Sequence, residues 1–285
     1  MLTRIRIDRI TKVMEKVKEP RVSLSSHFTY KKIFWQVITP ILMMVFTSIY
    51  GIVDGFFVSN FDSEDAFAGV NLIFPLVILV GGIAYMFGSG GCALVSKLLG
   101  EKKRDEACQV FTMLIIVLFI VGIVLSVGGF FLIKPAAIAM AKVTADISEA
   151  AVEKAISYGR ILMLGQSIYM LQSVFQNFFV ADEKQNLGFL WTIAAGVTNI
   201  VFDALFVGLL GWNVEGAAIA TILGYLAGSV GPVIYFFVKK DGLLTFVKTK
   251  IRFKPIIKSI TNGFSDFIFN VSSSIVSICY NVMLL

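Results

Sequence analysis

Long apolar runs separated by short polar or basic clusters recur seven times along the chain, near 33–58, 67–96, 110–133, 157–181, 187–210, 215–238 and 259–285. A helix rises 1.5 Å per residue and the hydrocarbon core of a bilayer is about 30 Å thick, so roughly 20 apolar residues suffice to cross it. All seven runs reach that length, which predicts an all-α membrane protein. Several are longer, as tilted helices or helices projecting beyond the hydrocarbon would be. The spacing divides the chain into a basic N-terminal segment (1–32), a six-helix unit (33–238), a basic linker (239–258) and a further helix (259–285). A six-helix bundle followed by a longer linker is the layout of a transporter built from two repeated halves. The seventh run reaches Leu285 with no polar flank. The expectation is therefore the start of an incomplete second lobe, in a truncated form of a longer protein.

Composition agrees with the pattern. Hydrophobic residues make up 57% of the 285 and charged residues only 15%, with a mean hydropathy of +0.83. A soluble domain carries about 25% charge. Cys92, Cys108 and Cys279 imply no disulfide framework. The formal charge of +6 reflects basic residues gathered in the connections, which reads as membrane topology and not as nucleic-acid binding.

If the N-terminus lies inside, 21 Lys and Arg residues fall on the inner side. They belong to segment 1–32, to Lys97 and Lys102 to Arg104, to Lys184 and to the linker. The outer side then has only Lys134, Lys142 and Lys154. That excess predicts a multi-pass protein of the cell membrane with a cytoplasmic N-terminus. Within segment 1–32, Ile10, Val13, Met14 and Val17 recur at helical spacing. They fit either a basic amphipathic helix on the anionic inner leaflet or a solvated tail.

Polar groups inside the runs are few. In Thr198-Asn199-Ile200-Val201-Phe202-Asp203, an amide and a carboxylate four residues apart share one helix face in an apolar run. A carboxylate at mid-membrane costs about 2.5–3.5 kcal/mol on insertion scales, so it reads as functional. Asp54 lies late in the first run, with Tyr50 one turn before it. The first and fifth runs have the same parity, so Asp54 and Asp203 share a depth in the outer half. Carboxylates, an amide and a phenol supply oxygen ligands and proton acceptors, which suits H⁺ or Na⁺ better than a soft metal. Pro40 removes a backbone hydrogen bond from the first helix and predicts a bend there. Gly88-Ser89-Gly90-Gly91-Cys92-Ala93 matches a dinucleotide loop only as a string. With no strand before it, it reads as close helix packing through small residues. No nucleophile, triad, zinc or phosphate-loop pattern is present, so the chain is not read as an enzyme.

Several motifs together resemble the multidrug and toxic compound extrusion (MATE) transporters. The first helix, from Pro40 through Ser48-Ile49-Tyr50-Gly51-Ile52-Val53-Asp54-Gly55-Phe56-Phe57-Val58, is similar to that family's signature, with Gly51 in place of the usual Asn. Ala93 to Lys103 is similar to its small-residue, Gly and basic-loop pattern. The strongest match is Thr198 to Phe206 followed by Gly211-Trp212-Asn213-Val214-Glu215-Gly216-Ala217-Ala218-Ile219-Ala220-Thr221.

The resemblance, over roughly 30–285, implies the first lobe of a twelve-helix, V-shaped antiporter. In the prokaryotic drug/DNA-damage-inducible type branch it places a cation site at Asp54, Asn199, Asp203 and Thr221, with Tyr50 nearby. It further implies H⁺ or Na⁺ as coupling ion with no other cofactor, organic cations and amphiphilic drugs as substrates, and a second lobe supplied in cis or by a partner chain. A lipid-linked oligosaccharide flippase of the same superfamily would need a more basic central cavity than these helices offer. A non-transporting membrane scaffold is the other alternative.

Overall fold

The computed structural model describes residues 30–144, 147–239 and 242–284. The amphipathic pattern at 10–17 lies outside them. In lipid every backbone polar group must be satisfied within the protein, and helices do this without a partner strand. The described chain is accordingly helical: α1 (Tyr30–Phe61), α2 (Glu64–Gly100), α3 (Arg104–Ala141), α4 (Glu149–Leu164), α5 (Gln166–Ala181), α6 (Gln185–Asp203), a π-helical turn (Ala204–Leu209), α7 (Asn213–Val238) and α8 (Phe253–Leu284). Of these, α1, α2, α3, α6 with its π turn, and α7 are each long and apolar enough to cross a bilayer alone. α2 is central and packs against α3, α4, α5 and α8, while α1 rests mainly on α6.

The run at 157–181 is not one continuous helix. It begins earlier, at Glu149, where the Ser148 hydroxyl caps the first turn by accepting from the Ala151 amide at 2.9 Å. It is then broken at Gly165 into α4 and α5. A side chain at Gly165 would collide with Ile222 of α7, so glycine lets α7 approach there. On the other side, Gly122 of α3 lies against the Ser167 backbone. The Ser167 amide donates to Ser126 Oγ at 3.2 Å, so the broken helix is satisfied from α3. α8 also starts earlier than its apolar run, at Phe253, with Pro255 in a first turn that needs no amide donor.

Two clusters fill the interior. At the end carrying Lys102, Lys103 and Arg104, Phe111, Phe175, Phe178, Phe179 and Phe236 are fully buried. Toward the opposite end, Ile73, Leu162, Met163, Val207 and Ala217 form the second. That end is tied by Asp62, which accepts from Lys154 Nζ at 3.2 Å and from the Val214 amide at 2.7 Å, joining α1, α4 and α7. α8 lies antiparallel along α2. Gly90 and Gly263 let the two backbones touch near the basic end. Ser274 Oγ donates to the Pro75 carbonyl at 2.7 Å, and the Asn281 amide to the Asn71 carbonyl at 2.7 Å.

The segment joining α7 to α8 is strapped across the basic end. Asp182, just beyond α5 and 2% exposed, accepts from the Leu244 amide at 2.8 Å and the Tyr235 hydroxyl at 3.0 Å. Leu244 is wholly buried, and the Val247 amide donates to Thr112 Oγ1 at 3.1 Å. Burial pushes the Asp182 carboxyl from 3.8 up to about 6, although hydrogen bonds from Leu244 and Tyr235 pull it down. A carboxyl raised in this way holds its proton more readily folded than unfolded. Its contribution to stability is therefore full below about pH 4 and is lost as pH rises through about 6.

Asp182→Ala leaves the Leu244 amide unpaired and should cost about 1–3 kcal/mol, seen as a lower melting temperature of the purified protein. In Asp182→Asn, the fall in melting temperature between pH 4 and 6 should be shallower than in the unsubstituted protein. Equal slopes would mean the carboxyl does not titrate in the folded chain.

Candidate functional site

The candidate site lies where α1, α4, α6 and α7 meet. On α6, Asn199 is 2% exposed and Asp203 is completely buried. Residues four apart drift by about 40° around an α-helix. The turn after Asp203 is wider: the Leu210 amide donates to the carbonyl of Leu205, five residues back, at 2.9 Å. Such turns reverse the drift, and Val207 is buried in line with Asn199 and Asp203. π turns recur at functional sites. The chain then reverses through Gly211 (φ +63°), with Trp212 stacked on Phe206 at 4.7 Å.

α7 supplies Thr221, whose hydroxyl accepts from Asn199 Nδ2 at 3.5 Å while donating to the Ala217 carbonyl at 2.9 Å. α1 supplies Asp54, half-buried and close enough to Asp203 for the two carboxylates to interact. Asn199 stands beside Asp203 but is not in hydrogen-bonding geometry with it. Both Asp203 oxygens, Asp54 Oδ1 and Asn199 Oδ1 are buried without hydrogen-bond partners among the described residues. Buried polar atoms are rarely left this way, and charged ones cost most.

Asp54, Asn199, Asp203 and Thr221 are therefore brought together. Tyr50 is at the edge, one turn from Asp54, its ring over Gly196 of α6. A side chain at Gly196 would meet Phe46 at 2.6 Å and Tyr50 at 2.8 Å, so this glycine seats α1 on α6. Pro40 is not part of the cluster. It lies 14 residues before Asp54, about 21 Å along an α1 that continues through it unbroken.

The sequence reading missed Tyr158 of α4, which is 2% exposed and faces Asp54. Its signal was a lone phenol flanked by Ala155 and Gly159, in a stretch read as the start of a helix. It also missed the amides of α5. Gln172 Oε1 and Gln166 Nε2 are buried and have no hydrogen-bond partner among the described residues, and Gln176 donates to Thr192 Oγ1 at 3.0 Å.

The MatE family profile matches residues 40–205, more than half of the chain, from within α1 to the start of the π turn. The chain belongs to the MatE family. The Multidrug export protein MepA of Staphylococcus saprophyticus is 23% identical over 238 residues, which cover 83% of this chain and 51% of that protein. The protein of the same name from Staphylococcus aureus strain MRSA252 is 22% identical over 235 residues, covering 78% and 51%. The chain thus spans about half the length of the curated relatives it matches.

Among solved structures, MATE in the straight conformation superposes with a TM-score of 0.78 at 24% identity, over 85% of this chain and 53% of that one. An outward-facing multidrug resistance MATE family transporter of the MOP superfamily gives 0.75 at 24%, over 84% and 52%. The likeness shows the fold: the chain has the all-α arrangement of the N-terminal lobe of these proteins.

Gly196→Val should force Phe46 and Tyr50 aside and unseat α1, at a cost of about 1–3 kcal/mol. The check is the melting temperature of the purified protein. An unchanged value would mean that α1 does not depend on α6 for its position.

Proposed function

We propose that this lobe is the coupling half of a secondary active multidrug exporter. Asp54, Asn199, Asp203 and Thr221 form its site for H⁺ or Na⁺, and Tyr50 borders it. The observation that carries this reading is the pair of Asp203 oxygens, wholly buried, without hydrogen-bond partners and facing a second carboxylate. Two unneutralised carboxylates in such surroundings repel each other and lack the hydration they would have in water. A proton or Na⁺ entering the cluster removes part of that cost, and Asn199 Oδ1 and Thr221 Oγ1 add neutral oxygens of the kind Na⁺ accepts.

The energy of occupancy is felt by three other helices, because the ligands come from α1, α6 and α7 and Tyr158 stands on α4. A cation that binds one arrangement of these helices more tightly than another shifts the balance between them, as alternating access requires. The basic end faces the cytoplasm, in line with the charge bias of the connections. The substrates are organic cations and amphiphilic drugs, by analogy with the multidrug export proteins that the chain resembles. They pass between this lobe and a second one, in the same polypeptide or on a partner chain.

The test is ethidium efflux from vesicles containing a two-lobed transporter that carries this lobe, driven separately by a pH gradient and by a Na⁺ gradient. Asp203→Asn should reduce efflux to background under either gradient, with insertion and melting temperature retained. Asp54→Asn should reduce it less. Efflux at the unsubstituted rate in Asp203→Asn would overturn the assignment of the site, and the gradient that drives transport identifies the ion.

A further inference from the structure

A second charged cluster lies away from the cation site, on the flank of the bundle where the far halves of α3 and α4 meet. Phe130 and Lys134 of α3 and Glu153, Ser157 and Arg160 of α4 line a cleft of about 480 Å³. Arg160 is half-buried, with its guanidinium 5.4 Å from the centre of the Phe130 ring. Its Nε is buried and has no hydrogen-bond partner among the described residues. Glu153 and Lys134 are exposed at the rim, and among the described residues Glu153 makes no ion pair with Arg160. The ring contact stabilises the cation but accepts nothing from Nε, so the buried donor is still unpaired.

The depth of the cleft points to what would pair it. Lys154, bridged to Asp62, marks the polar layer at the end opposite the basic loops. Arg160 lies six residues inward on the same helix, about 9 Å, and Lys134 lies seven residues before the end of α3, about 10 Å. The headgroup layer of a bilayer leaflet is about 5–8 Å thick, so both backbones lie just inside it and the long side chains reach back to the level of the phosphates. Below them the flank is apolar and outward-facing: Phe131 is 70% exposed, Leu132 65% and Leu164 56%. An acyl chain can lie along that surface. Two cations and one carboxylate leave the cleft with a single net positive charge, which one phosphodiester balances. Arg is the side chain best matched to phosphate oxygens.

We propose that this cleft binds the headgroup of an anionic phospholipid, phosphatidylglycerol in its simplest form, in the leaflet opposite the basic end. Arg160 donates to the phosphate, Lys134 closes over it from α3, and Ser157 adds a hydroxyl donor. A lipid held there bridges α3 and α4, the latter being the helix that carries Tyr158 toward the cation cluster.

The test is site-resolved photo-cross-linking. The protein is reconstituted in phosphatidylcholine vesicles containing a phosphatidylglycerol with a photoreactive group near the glycerol, and cross-links are mapped to peptides. Labelling on 127–134 and 156–164 should fall about fivefold in Arg160→Gln, and about twofold in Lys134→Gln, relative to labelling at the basic end. Unlabelled phosphatidylglycerol should compete, whereas added phosphatidylcholine or inorganic phosphate should not. Lys134 is exposed, so its variant remains informative even if Arg160→Gln proves unstable. Undiminished labelling in Lys134→Gln and in any folded Arg160→Gln would overturn the proposal. Equal competition by phosphatidylcholine would reduce the cleft to ordinary lipid contact, and competition by inorganic phosphate would assign it to free ions; either result also overturns it.

Discussion

A lipid bilayer offers the backbone no hydrogen-bonding solvent, and each departure from straight helix in this protein is answered by a neighbour. Where α4 gives way to α5 at Gly165, the Ser167 amide finds Ser126 of α3. Pro75 has no amide to offer the Asn71 carbonyl four residues back, and that carbonyl accepts from Asn281 of α8. Beyond α5, Asp182 takes the amide of a non-helical strap that would otherwise be buried unpaired. These repairs also set the architecture, because each ties one helix to another at a fixed height. Small residues do the complementary work. Gly165, Gly196 and the Gly90/Gly263 pair remove side chains at the points where two helices must come closest.

The side chains around Asp203 depart from this rule of repair, as Arg160 and the α5 glutamines also do. Asp203 is as deeply buried as any aromatic residue of the core, yet among the described residues Asn199 stands beside it and neither carboxylate oxygen has a partner in hydrogen-bonding geometry. The π turn follows at once, so the helix departs from α geometry at the residue whose charge is least accommodated. The surrounding groups are mostly neutral donors and acceptors held on separate helices: Asn199, Thr221 and Tyr158. Such a shell stays intact whether the carboxylates are charged or neutralised, since none of its members must itself gain or lose a charge. A fixed lysine or arginine in the same place would have sealed Asp203 in a permanent ion pair and left nothing to exchange.

The parts legible in the sequence were those written in composition and spacing. Apolar runs of spanning length gave the helices. The Asn199/Asp203 spacing gave one face, and parity gave the shared depth of Asp54. Helical spacing put Tyr50 beside Asp54, whereas Thr221 required the family resemblance, because a hydroxyl in an apolar run is ordinary. Tyr158 escaped for that reason, and because its helix was taken to begin at 157 when Ser148 caps it nine residues earlier. The break at Gly165 was hidden because a glycine in a membrane helix signals close packing far more often than a kink. Only the positions of Ile222 and Ser167 distinguish the two. Pro40 is legible as a missing hydrogen bond, and α1 continues through it as one helix.

Arg160 and Asp203 make an instructive pair, since both carry buried polar atoms without partners. Asp203 is enclosed at 0% exposure, and on the proposed reading its ligand is a proton or a bare cation. Arg160 opens sideways at headgroup depth, where the available anions are large and arrive by diffusion within the leaflet. If both proposals hold, the same imbalance, an unanswered charge in an apolar bundle, selects different ligands according to the path by which they approach. Their elements are also coupled. α4 bears Arg160 and, two residues earlier, Tyr158, which faces Asp54. A change in how α4 meets the lipid cannot leave the phenol's approach to Asp54 untouched unless the helix bends between them, and residues 149–164 form a single unbroken helix.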